Sequence, residues 1–327
     1  MMLYLALLES SLPDQTRIFA EVDDRLIDLR LAYAAYLCRV RHNRVNAYEL
    51  AGCFFPPTLA AFLELGVAAR SELEATVGFV HQTGVADLRG PAGEKVAYDR
   101  GELRLLPPLR NPAKSIVIGF SDRARAEALP KADIPTGFYK LPQTFITTGA
   151  PIAWPKFAAE LDADACLAIV IGKTGNRIAP ENAWDYVAGA TLMIDITARD
   201  IHRREGLTHN NLLGKNFPSS TCLGPGLLIA SSPNDLTGLP MELSLDGSVG
   251  QKFALEECVF SVEQIIARWS LLGLKPGDWL AIGASMALAN DRLRQPMPLA
   301  IGSTLACLSP GLGSLTHRII AAGGRPA

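Results

Sequence analysis

The chain has 327 residues, 49% of them apolar and 20% charged, so it can bury a full core and is not a disordered chain. Its 31 Lys and Arg stand against 33 Asp and Glu, a formal net charge of −2, which argues against an electrostatic grip on nucleic-acid phosphates or an anionic membrane. A protein of one large or two smaller domains that handles a small molecule is the expectation.

The opening MMLYLALLESS has no basic residues before its apolar run and no cleavage pattern behind it, so it reads as a first strand rather than a signal peptide. Strand-like RIFAEV and RLIDLRL follow. From residue 31 to about residue 80, Ala and Leu recur at helical spacing, broken by CFFPPT. ELRLLPPLRNP returns to a strand and ends in prolines. The boundary is placed there: residues 1–109 form a small α/β N-terminal domain and residues 110–327 a second, β-rich domain. The second part consists of short Val-, Ile- and Leu-rich runs split by Gly and Pro: SIVIGF, CLAIVIGK, GATLMIDIT, GPGLLIA, MELSLDG and DWLAIG. Two helices are predicted among them. APENAWDYVAG opens on Pro and closes on Gly189, and SVEQIIARWSLLG carries Ser261 and Gln264 at capping-box spacing.

The six cysteines (Cys38, Cys53, Cys166, Cys222, Cys258, Cys307) include no CxxC pair, which excludes a zinc knuckle or thioredoxin motif and suits reduced thiols in the cytoplasm. No stretch reaches the ~18 apolar residues of a membrane span. Gly214-Lys215 lacks the upstream glycine and following Ser or Thr of a phosphate loop, and no GxGxxG is present. GASMA could place Ser285 on a nucleophile elbow, but MALANDRLRQP is a poor helix start.

One set of blocks is far more specific. IVIGFSDRARAEA, PTGFYKLPQTFITTGAPIAWP, ADACLAIVIGK, ENAWDYVAGATLMIDITARDIHRREGL, LLGKNFPSSTCLGPGLL, LKPGDWLAIG and GLGSLTHRI follow one another in order. Together they resemble the fumarylacetoacetate hydrolase family, in its short acylpyruvase-like branch, over roughly two-thirds of the chain. The resemblance implies an α+β fold, with a mixed β-roll or β-sandwich catalytic domain and usually a homodimer. It also implies a divalent ion such as Mg2+ or Mn2+ holding a 2-oxo acid or 1,3-dicarbonyl compound while the carbon beside the carbonyl is cleaved or protonated. A hard cation polarises such a carbonyl as a Lewis acid.

Against that pattern the chain departs where the ion would sit. Two family glutamates correspond to Asp164 and Cys166, the third acid is kept as Asp195, a His becomes Arg123 with Glu127 one residue off register, and a Thr becomes Ala284. Kept are Lys140, Arg199, Asp200, Lys215 and Gln251. Alternation along a strand puts Asp162, Asp164 and Cys166 on one face. With one carboxylate shortened and a soft sulfur replacing another, Mg2+ or Mn2+ is expected to bind weakly or not at all through Asp164 and Asp195.

The expected machinery is then Lys215, Asp195 and His209 as catalytic groups, with Lys140, Arg123 and Gln251 holding substrate. Each has a plainer reading. Asp195 could simply pair with Lys215 or Lys140, Arg199 and Asp200 could brace their turn, Cys166 could be a buried hydrophobe, and Arg123, His202 and His209 could be solvated. Three functions remain open: an enzyme of altered chemistry on a 2-oxo acid or dicarbonyl substrate, an inactive homologue that binds or scaffolds, and a metal site rebuilt from Asp162, Asp164 and Asp195.

Overall fold

The computed structural model describes residues 1–8, 15–119, 134–207, 211–283 and 297–323. The fold is α+β. A twelve-stranded sheet faces a five-stranded one, and short helices cover the outer face of the front portion. Among the described residues no helix is long and apolar enough to cross a membrane.

Two strands form the spine. Leu161–Ile171 and Val187–Ala198 pair antiparallel along their whole length, and every residue of the first is buried. A strand covered on both faces reads as a continuous apolar run, which is what LAIVI and ATLMI do. Alternation sorts its side chains. Ala163, Ala165, Leu167, Ile169 and Ile171 pack toward the five-stranded sheet, with Leu243, Leu305, Leu315 and Ile319. Cys166, Ala168 and Val170 lie on the opposite face, with Tyr33, Phe55 and Trp279. Asp162 and Asp164 continue that second face toward the strand's start, where the apolar core gives way to a polar patch.

The front part is built as read. Met2–Leu8, Thr16–Val22 and Arg25–Asp28 form an antiparallel set. Asp28 then caps the Leu29–Arg39 helix, its carboxylate accepting from Leu31 N at 3.1 Å. The CFFPPT breaker falls between the Ala47–Phe54 and Leu59–Glu64 helices. Met2–Leu8 also pairs with Thr221–Ile229, so chain on both sides of residue 109 shares one sheet. The Val262–Trp269 helix carries the expected capping box from Ser261 and Gln264. In MELSLDG, Asp246 and Gly247 both adopt positive φ, closing the tight hairpin between Met241–Leu245 and Ser248–Phe253.

One predicted helix is corrected. APENAWDYVAG forms only a 3-10 segment, Pro180–Tyr186, and its last residues start the Val187–Ala198 strand. Gly189 is not a helix cap. It lies where two strands meet so closely that a Cβ would sit 1.7 Å from the Leu228 carbonyl oxygen. Gly189→Ala is therefore expected to cost at least about 1–3 kcal/mol through forced backbone shifts. The cost would be read as a lower urea midpoint at unchanged denaturant slope.

Candidate active site

The polar patch is assembled by strand register. Asp164 and Asp195 are direct cross-strand partners, and Asp162 lies opposite Thr197. Like charges directly opposite repel, and burial makes each more costly, so cations must reach them. Three do. Lys140 follows the Gly137–Tyr139 strand, its backbone N bonded to Ser115 O at 2.8 Å. Lys215 ends the turn that returns from the Arg199–Gly206 helix, and Arg199 is that helix's first residue.

The described residues form a network of ion pairs. Lys140 Nζ meets Asp195 Oδ1 at 2.8 Å, and Lys215 Nζ meets Asp195 Oδ2 at 2.6 Å. Arg199 spans two carboxylates, with Nε 2.8 Å from Asp162 Oδ2 and a terminal nitrogen 3.2 Å from Asp164 Oδ2. Among the described residues, Asp162, Asp164 and Asp195 are thus met by Arg199, Lys140 and Lys215. Asp195, Lys140 and Lys215 are at most 1% exposed. Burial alone would raise the Asp195 pKa, but the two ammonium groups outweigh it and hold the carboxyl well below the usual range. For Lys140 burial dominates and lowers its pKa, opposed by Asp195.

The lysines differ in what they have left to offer. Lys140 Nζ also donates to the carbonyl oxygens of Lys215 and Ser220 and to Ser220 Oγ, so its three N–H groups are consumed within the protein. It braces the Lys215 turn rather than standing ready for substrate. Among the described residues Lys215 Nζ has Asp195 and Thr197 Oγ1 as acceptors, the latter at 2.7 Å, and it lies over the Phe138 ring at 5.0 Å. These are two acceptors, against four contacts for Lys140 Nζ.

The turn carrying Lys215 is clamped from the helix. Glu205 accepts from Leu213 N at 2.7 Å and from Gly214 N at 2.9 Å, and His202 Nε2 lies 2.7 Å from Asn211 Oδ1. Burial, with Lys215 and Arg199 nearby, lowers the His202 pKa to about 4, so the ring is neutral at pH 7. His202 Nδ1 is buried without a hydrogen-bond partner.

The other expected residues are distributed as follows. Gln251 Oε1 accepts from Ala165 N at 2.7 Å, supporting the spine strand's backbone rather than joining the cation cluster. Cys166 is fully buried, and burial pushes its thiol well above its ordinary pKa, with Asp195 and Asp164 adding to the effect, so it is a neutral thiol and not a nucleophile. Asp200 accepts from Ala159 N at 3.1 Å, bracing its turn. Arg123, Glu127, His209, Ala284 and Ser285 lie outside the described residues. Sequence reading missed Thr197 and Ser220. The period-2 pattern placed Thr197 on the Asp195 face and could have found it, whereas the Ser220 contact needs the folded turn.

A hard divalent ion prefers several free carboxylate or carbonyl oxygens. Here each Asp195 oxygen carries an ammonium, Asp164 carries Arg199, and Cys166 presents a protonated sulfur. Among the described residues no group of three His, Cys, Asp or Glu side chains is arranged to hold a metal ion. Among the described residues the donor set does not fit such an ion.

The chain belongs to the fumarylacetoacetate hydrolase family: the family model described as "Fumarylacetoacetate (FAA) hydrolase C-terminal" matches residues 114–320. Curated relatives include oxaloacetate tautomerase fahd2, mitochondrial, of Xenopus laevis, 28% identical over 84% of this chain and 82% of that protein. Another is oxaloacetate tautomerase YisK of Bacillus subtilis, 31% identical over 68% of this chain and 75% of that one. In fold the chain is similar to maleylpyruvate hydrolase from Sphingobium sp. SYK-6 (TM-score 0.72, 18% identity, 98% of this chain and 100% of that one). That enzyme has also been solved with manganese(II) and pyruvate.

Proposed function

We propose that this chain is an enzyme that moves a proton beside the carbonyl of a 2-oxo acid or 1,3-dicarbonyl compound through an enolate. Keto–enol tautomerisation of a short 2-oxo dicarboxylic acid such as oxaloacetate is the reaction that fits best. C–C hydrolysis and decarboxylation of related substrates would use the same enolate. The oxaloacetate tautomerases among the relatives favour this substrate class. The carrying observation is the pair of ammonium groups on Asp195, one of which, Lys215, has a third N–H without an acceptor among the described residues.

In this reading a water acting as base takes a proton from the carbon next to the carbonyl, and the resulting hydronium delivers one to the oxygen. The charge that develops on that oxygen meets the Lys215 ammonium in a site of low dielectric, where a fixed donor acts most strongly. Asp195 stays ionised and holds both lysines in place. Lys140, with its donors spent inside the protein, sets the position of Lys215. No divalent ion is required, because the cations of the chain itself carry the charge.

The test follows relaxation of enol-oxaloacetate to the keto form by ultraviolet absorbance, with and without chelator. Turnover of about 1 s⁻¹ or faster is expected, unchanged by EDTA and not raised by added Mg2+. Activity lost on chelation and restored by Mg2+ or Mn2+ would reject the metal-free mechanism. No turnover on oxaloacetate, acylpyruvates or related diketones, with or without metal, would leave the inactive-homologue reading in its place.

A further inference from the structure

We infer that the groove between the Leu103–Leu106 strand and residues 142–150 binds a small organic polyanion, a molecule carrying two or more carboxylate or phosphate groups on a carbon framework. The groove measures about 820 Å³. Among the described residues three arginines line it, Arg100, Arg104 and Arg110, and no acidic residue does. None of the three has a carboxylate partner among the described residues, in a chain whose net charge is −2 and whose Arg17, Arg41, Arg199 and Arg203 are all ion-paired.

Local sequence makes this segregation specific. The acids nearest in the chain are committed elsewhere: Asp99 pairs with Arg25 at 3.2 Å, and Glu102 with Lys95. The Arg100 guanidinium carbon lies over the Tyr4 ring, 4.9 Å from its centroid, a cation–π contact that favours this placement before any ligand arrives. Three like charges around one concavity raise its potential and favour a multiply charged counter-ion. Guanidinium groups recognise carboxylates and phosphates through paired N–H donors. Leu105 and Phe145 supply apolar wall for a carbon skeleton, and Gln143 adds an amide.

The groove shares no residue with the Asp195 cluster, so this inference stands apart from the proposed reaction. The two are nevertheless connected. Lining residue Pro142 follows Lys140 by two positions, and the lining pair Phe145–Ile146 forms a strand against Thr221 and Cys222, beside the Ser220 that Lys140 contacts.

The test is titration calorimetry on the full chain with citrate in one arm and inorganic pyrophosphate in the other, at about 50 and 200 mM salt. Saturable one-to-one binding of at least one anion is expected, weakening with salt. The Arg104→Ala/Arg110→Ala variant should lose about tenfold or more in affinity. Both arginines are exposed, so the variant's melting temperature should match the parent's. The stronger arm identifies carboxylate or phosphate as the natural headgroup. Binding should persist in Lys215→Met, since an anion lodged beside Asp195 would be lost there. Absence of saturable binding in both arms, equal binding by the double arginine variant, or loss of binding in Lys215→Met would each overturn the assignment.

Discussion

Lys215→Met is expected to lower kcat/KM on the tautomerisation substrate by about a hundredfold to a thousandfold, the cost of removing one fixed donor from a developing oxyanion. Methionine keeps much of the stem's bulk and removes the charge. The substitution also removes one of the two ammonium groups described on Asp195, and breaking a buried pair costs roughly 3–5 kcal/mol. Activity is therefore measured at low temperature on protein shown to be folded by circular dichroism. Lys140→Met separates the two effects. It breaks the same network on the side whose donors are consumed internally, so it should lower stability comparably but lose less turnover per kcal/mol of stability lost. Equal losses of turnover in the two variants would show that Lys215 only holds the fold.

Asp195→Asn tests the electrostatic centre. It leaves two buried ammonium groups facing a neutral amide, and the expected loss of stability at pH 7 is again about 3–5 kcal/mol. The pH dependence carries a definite sign. Asp195 titrates lower in the folded chain than in the unfolded one, because Lys140 and Lys215 outweigh the opposing effect of burial. Its stabilising contribution is then complete above the ordinary carboxylate pKa of about 4, and is lost as pH falls below that toward the folded value. Urea denaturation at a series of pH values from neutral to acid should show a wide gap between parent and variant near neutrality that narrows in acid. A gap of constant width would mean that the ion pairs do not set the acid stability of the fold.

Much of the site was legible because its residues sit in short, ordered blocks. Lys140, Asp195, Arg199 and Lys215 were all singled out from their motifs, and strand alternation placed Asp162, Asp164 and Cys166 on one face. The plainer reading of Asp195, as a partner for Lys215 or Lys140, is the contact the structure displays, with both lysines at once. The role of Arg199 was less visible. It was read as bracing a turn, yet it neutralises Asp162 and Asp164, two side chains more than thirty positions earlier in the chain. Gly189 misled the reading because a glycine after a Pro-initiated segment signals a helix end, whereas the reason for this one is a carbonyl from a strand about forty residues later.

By itself, the sequence determined the α+β class, the capped helices and the alternating faces of the spine strands. Those properties depend on residue type and on spacings of two to four residues, and they survive without knowledge of distant neighbours. Only the tertiary structure decided which cation meets which carboxylate. A buried charge is stabilised by whatever lies within a few ångströms of it. Those partners came from separate segments: residue 140 after one strand, residue 199 at a helix start and residue 215 in a returning turn. Whether a lysine braces the protein or offers a donor to substrate depends on how many acceptors the fold brings to its nitrogen, and for Lys140 and Lys215 the fold brings different numbers.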